Sequence, residues 1–78
     1  MDLQAQQKVV GLKQSRKAIE DGMAQMCYVA HDADGNFRRG LVQLCMSKGV
    51  QVDQEHSKHE LGIACGIDVD AAVVTILK

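Results

Sequence analysis

Proline and tryptophan are absent from this 78-residue chain, and phenylalanine and tyrosine occur once each. With aromatics at 3%, no row of rings is available to stack successive single-stranded bases, and the core has to be aliphatic. No linker, repeat or low-complexity tract divides the sequence, so residues 1–78 read as a single domain. No apolar run approaches the roughly 20 residues of a membrane span, which predicts a soluble protein with no membrane partner. The opening Met-Asp-Leu-Gln-Ala-Gln-Gln-Lys is too polar for a secretory leader. Cys27, Cys45 and Cys65 are odd in number, lack paired spacing and lie in apolar stretches. That usage predicts a reducing, cytoplasmic setting without disulfides.

Hydrophobic residues make up 46% of the chain, enough for a core, although a domain of this size buries only roughly 60% of its unfolded surface. Residues 2–8 are polar and helix-tolerant and predict a short opening helix before a Val9–Val10 strand. A second helix is expected from about Lys13 to Asp21, with Ser15, Ala18 and Ile19 as its inward stripe and Gly22 just past its end. Ala24–Ala30 is apolar on both faces, the composition of a strand covered on both sides. Asp32–Asn36 reads as a turn and helix start, after which Phe37, Leu41, Leu44 and Cys45 recur at helical spacing up to Lys48-Gly49. Val50–Val52 is a short strand and Ser57–Cys65 a helix ended by Gly66. Ala71–Leu77 is a β-branched run fit for an interior strand. Helices alternating with apolar strands predict an α/β fold, a three-layer α/β/α sandwich around a small mixed four-stranded sheet.

Charge is distributed unevenly. Four basic residues and no acidic one lie between Lys8 and Lys17, although the whole chain carries a formal charge of −1. Lys13 and Lys17 are one helical turn apart and Gln14 and Lys17 three residues apart, so all three project from one side. The helix start adds unpaired N–H groups and partial positive charge. A lysine donates to guanine O6 or N7, and a glutamine amide both donates to and accepts from a base edge. Taken alone, the Lys-x3-Lys pair describes a solvated face. A second segment, Leu61–Ala72, ends a helix at Gly66 and continues into a loop with Ile67 and Val69, either a contact surface or side chains tucked back on the sheet.

Together the two segments, Gly11-x5-Lys17-Ala18-Ile19-x2-Gly22 and Leu61-Gly62-x-Ala64-Cys65-Gly66-Ile67-x-Val69-x-Ala71-Ala72, resemble the kink-turn-binding ribosomal protein family, the archaeal L-seven-Ae group. The short bacterial YbxF type is the nearest likeness, and the similarity runs from about Val9 to Leu77. What the resemblance implies is non-catalytic binding of structured RNA, a kink-turn or kink-loop, in ribosomal or other RNA. No cofactor is expected, and a monomer is the default expectation. Carried over by position, Lys13, Gln14 and Lys17 meet the sheared G·A pairs, Gly11 allows close backbone approach, and Ser15 counts among the RNA-binding candidates. Ile67, Asp68 and Val69 cover the bulge, and Asp34 and Lys58 flank a flipped-out base. Protein recognition of RNA commonly relies on such distorted elements.

The chain departs from the archaeal pattern at Lys13-Gln14, where Asn-Glu is common, and at Leu12, where a small residue is usual. Asp68 and Asp70 bring negative charge to the loop, and the few lysines predict a shallow salt dependence. An accessory or protein-interaction module with weak RNA affinity is the competing expectation. His56, His59 and Cys65 lack a fourth ligand at a metal-binding spacing. Cys65 reads as a small buried hydrophobe, and Asp32 and Asp34 as turn and cap residues. No enzyme is expected.

Overall fold

A computed structural model describes residues 2–78. In chain order the elements are β1 (Lys8–Val10), α1 (Leu12–Glu20), β2 (Ala24–Val29), α2 (Gly35–Ser47), β3 (Gln51–Asp53), α3 (Lys58–Cys65) and β4 (Val73–Leu77). One mixed sheet has the order β1-β4-β2-β3. β4 is antiparallel to both β1 and β2, and β2 is parallel to β3. β1, β2 and β3 therefore share a direction, and their C-terminal ends meet the start of β4 at one end of the sheet.

The helices cover both faces, as the alternation predicts. Ile19 of α1 and Leu41 and Cys45 of α2 pack with Cys27, Val29 and Val73 on one side. On the other, Leu61, Ala64 and Cys65 of α3 pack with Leu3, Val74 and Ile76. Consecutive β4 residues alternate between the two clusters because strand side chains have period 2; β4 supplies the centre of both cores and is buried from Val73 to Ile76. The three-layer α/β/α sandwich and its four-stranded mixed sheet stand as read from the pattern.

Local chemistry sets the helix ends. The inward stripe of α1 is Ser15, Ala18 and Ile19, all buried. The Asp34 carboxylate accepts from the Asn36 N–H at the start of α2, 2.8 Å away. Ser57 Oγ accepts from the Glu60 N–H, and the Glu60 carboxylate accepts from the Ser57 N–H, a reciprocal cap on α3.

One expectation fails: residues 2–7 form a turn and irregular chain, not a helix. Leu3 is buried, its N–H donates to the Ala64 carbonyl at 2.8 Å, and the Asp2 carboxylate accepts from the Gln4 N–H. A helix of that length repays little of its nucleation cost, whereas pinning Leu3 beneath α3 buries a whole side chain. Boundaries also shift: β3 starts at Gln51 rather than Val50, and β4 at Val73 rather than Ala71. Ala71 and Ala72 are taken by loop hydrogen bonds, Ala71 N–H to the Lys58 carbonyl and Ala30 N–H to the Ala72 carbonyl.

Gly62 is where the 66–72 loop comes closest to α3. A Cβ added there would press into the Val69 carbonyl and approach Asp70 Cα at 3.3 Å. Gly62→Ala is expected to destabilise by about 1–3 kcal/mol. Gly40→Ala on exposed α2, with nothing within 4 Å, is expected to stabilise by about 0.5–1 kcal/mol. Urea denaturation of the two variants checks both signs.

A pH dependence follows from the loop bonds. The Lys58 backbone N–H donates to Asp32 Oδ1 at 2.9 Å, and this bond first holds the Asp32 carboxyl below its usual range. The Ser57 backbone N–H does the same for Glu60. A lowered folded-state pKa contributes stability that is complete above the unfolded value and lost as pH falls through the folded one. Thermal melts should therefore show stability declining below about pH 4, and Asp32→Asn should flatten that acid limb. An unchanged limb in the variant would show that the Asp32 bond carries no linkage.

Candidate nucleic-acid interface

Backbone hydrogen bonds tie four connections together at the end of the sheet where β4 begins. Gly11 N–H donates to the Val73 carbonyl at 2.9 Å, His31 N–H to the His56 carbonyl at 3.0 Å, and Ala71 N–H to the Lys58 carbonyl at 3.0 Å. With Ala30 on Ala72 and Lys58 on Asp32, the start of α1, the β2–α2 connection, the start of α3 and the 66–72 loop form one rim. Residues that lie far apart in sequence are thus set side by side.

The α1 start has unsatisfied donors. Gly11 adopts φ 105, a backbone conformation that favours glycine, and no side chain caps the helix. The helical ladder begins with Ser15 N–H on the Gly11 carbonyl, so the N–H groups of Leu12, Lys13 and Gln14 have no helical partner. No acidic residue sits in that first turn. Lys13, Gln14 and Lys17 are exposed and, with Leu12, Arg16 and the carboxylate of Glu20, line a surface groove of about 680 Å³. Leu12 is half-buried against the cluster of Ile19 and Leu41; it anchors the helix start to the core.

Ser15 requires a correction. It is fully buried with its Oγ lacking any hydrogen-bond partner among the described residues, so its side chain faces the core and presents nothing to a ligand. Its place in the inward i, i+3, i+4 stripe, visible in the sequence, outweighs its nearness to Gln14.

The loop after α3 presents apolar side chains outward. Val69 is 68% exposed and Ile67 36%, and Ile63, one turn before Ile67, is also exposed; the tucked-back alternative is not adopted. Asp68 is exposed beside them. The loop is held by Ile67 N–H on the Gly62 carbonyl and by the 3.4 Å approach of His59 Nδ1 to Asp70 Oδ1. Asp34 and Lys58 are both exposed on the rim, and the Lys58 backbone N–H donates to Asp32, two residues before Asp34. The rim therefore brings together Gly11, Lys13, Gln14, Lys17, Asp34, Lys58, Ile67, Asp68 and Val69, and leaves out Ser15.

Sequence reasoning missed Arg38, whose guanidinium donates to the His31 carbonyl and so braces the β2–α2 connection. The signal was the Arg38-Arg39 pair in a helix without an acidic residue. His56 lies 3.9 Å from Asp53 and 4.0 Å from Glu60, while His59 faces Asp70. No group of three or more His, Cys, Asp or Glu among the described residues is arranged to hold a metal. Cys65 is buried, and burial pushes its thiol pKa up, away from nucleophilic thiolate chemistry.

Comparison with known proteins follows the same outline. A protein from Bacillus pumilus named as an RNA-binding protein is 39% identical over 74 residues, covering 95% of this chain and 90% of its own. The RNA-binding protein YbxF of Geobacillus stearothermophilus is 38% identical over 76 residues, covering 97% and 93%. The structure of the 15.5kD RNA binding protein of Giardia lamblia superposes with a TM-score of 0.85 at 32% identity; the match spans 91% of this chain and 60% of that one. A family profile matches residues 2–78, and the chain belongs to the ribosomal protein L7Ae/L30e/S12e/Gadd45 family.

Proposed function

We propose that this protein binds RNA, that its target is a kink-turn or kink-loop with sheared G·A pairs and a bulge, and that it stabilises the kinked form without catalysis. The observation that carries the reading is the Gly11 N–H to Val73 carbonyl bond at 2.9 Å. It sets the cationic, uncapped start of α1 beside the 66–72 loop with its exposed Ile67 and Val69, which supports a single ligand reaching both. Relatives named as RNA-binding proteins over nearly the whole chain support the same class of partner.

In this mechanism the α1 start enters the groove widened by the G·A pairs. Lys13 and Lys17 donate to guanine O6 or N7, Gln14 reads a base edge, and the free N–H groups after Gly11 face the backbone. Ile67 and Val69 cover bulge nucleotides that would otherwise expose apolar base faces to water. Asp34 and Lys58 flank the flipped-out base. A protein that fits only the kinked conformer shifts the RNA population towards it by its differential affinity.

Asp68 and Asp70 oppose the phosphates, so affinity rests on shape and base contacts more than on net charge. The protein acts as a cytoplasmic monomer on ribosomal RNA or another structured RNA. The same carboxylates favour one second reading, a ribosome-accessory or protein-interaction module with weak RNA affinity.

One experiment separates the two. A fluorophore-labelled kink-turn is titrated with protein without divalent ions, beside a version whose G·A pairs are replaced by Watson–Crick pairs. Binding and kinking of the first alone are expected, and Lys17→Ala should weaken that binding about tenfold, or ~1.4 kcal/mol, with an unchanged circular dichroism spectrum. Equal binding to both RNAs, or to neither, overturns the kink-turn reading.

A further inference from the structure

Outside the rim, one other cationic surface stands out in a chain of formal charge −1. α2 carries Arg38 and Arg39 and no acidic residue along its 13 positions. Arg38, Arg39, Val42, Gln43 and Gln54 line a surface groove of about 270 Å³ between α2 and the end of β3, and no carboxylate is among its lining residues. Arg39 uses Nη2 on Asn36 Oδ1 at 2.9 Å, which leaves most of its five N–H donors free. The Gln43 amide is exposed beside it.

Two further features fit a polyanion. Gly40 is an exposed, mid-helix glycine with nothing within 4 Å of its Cβ position. Helix interiors disfavour glycine, and no packing contact accounts for this one, but bare backbone next to Gln43 admits close approach of a ligand. Arg38 links the groove to the rim: it lines the groove and donates to the His31 carbonyl of the β2–α2 connection. From Asp34 to Arg38 and Gln43 the helix advances roughly 6 and 13 Å at 1.5 Å per residue, so a strand leaving the rim near Asp34 runs along the groove.

Resting on the kink-turn reading, we propose that the groove between α2 and β3 is a second RNA-contact surface that takes backbone phosphates of the stem flanking the kink. Arg39 and Gln43 are its principal donors. Guanidinium suits this task because its planar fork pairs two oxygens of a phosphate. Such contacts position the RNA without reading its sequence.

The test compares two kink-turn RNAs, one with its stems trimmed to the shortest that fold and one with them extended, over about 50 to 200 mM salt. The wild-type chain is expected to bind the extended RNA several-fold more tightly. Arg39→Gln and Gln43→Glu should lose most of that gain, and Arg39→Gln should make the salt slope shallower by about 1. Both variants should bind the trimmed RNA as the wild type does and melt at the same temperature.

Variants that bind the extended RNA like the wild type overturn the proposal and leave the groove to a protein partner. So does an equal loss on both RNAs, which would place Arg39 at the kink itself. Failure of the wild type to bind either RNA overturns the kink-turn reading and this one together, whereas loss of the stem effect alone overturns only this one.

Discussion

The bond from the Gly11 N–H to the Val73 carbonyl is the constraint on which the proposed interface depends. It joins the end of β1 to the beginning of β4, strands that neighbour each other in the sheet but lie at opposite ends of the sequence. β4 in turn supplies Val73 and Val74 to the two cores. The proposed interface is therefore rooted in the most buried strand of the fold. A loop rim built on a well-packed sheet can hold side chains in fixed relation, which shape-selective recognition needs.

The chemistry of the rim divides into three parts. α1 contributes free N–H groups and long donors, the 66–72 loop contributes exposed aliphatic surface, and the β2–α2 and β3–α3 connections, tied by the Lys58 N–H to Asp32 bond, contribute an acid and a base. None of these alone distinguishes an RNA site from an ordinary surface. Their value lies in adjacency: a cationic helix end attracts any polyanion, but covering apolar surface requires a ligand with unstacked bases or an apolar partner. In the proposed reading, Asp68 and Asp70 lessen the nonspecific pull of phosphates, which raises the share of recognition left to shape.

Much of the architecture was legible in the sequence because hydrophobic period and turn chemistry are local signals. Gly22, Gly49 and Gly66 mark helix ends with positive φ, and the Ser15, Ala18, Ile19 stripe faced inward as its spacing required. Residues 2–7 were not legible, since Leu3 is fixed by a distant partner, Ala64, that local propensity cannot register. The two site segments were visible as an uncapped cationic start and an apolar loop. Their juxtaposition, the bracing role of Arg38 and the Asp32–Lys58 bridge arise from sheet order, which no short window of sequence encodes. Ser15 illustrates the reverse case: proximity to a motif suggested contact, while its own periodicity already assigned it to the core.

The central claim is that one end of the sheet forms a single RNA-binding surface. Amide chemical-shift mapping of the isotope-labelled chain during titration with a kink-turn RNA of trimmed stems tests it most directly. The account predicts that perturbations cluster at residues 11–17, 31–34, 58 and 67–71 and saturate together at one equivalent. Perturbations confined to the opposite end of the sheet, around Gly22, Gly49 and Lys78, or the two rim segments titrating independently, would contradict it.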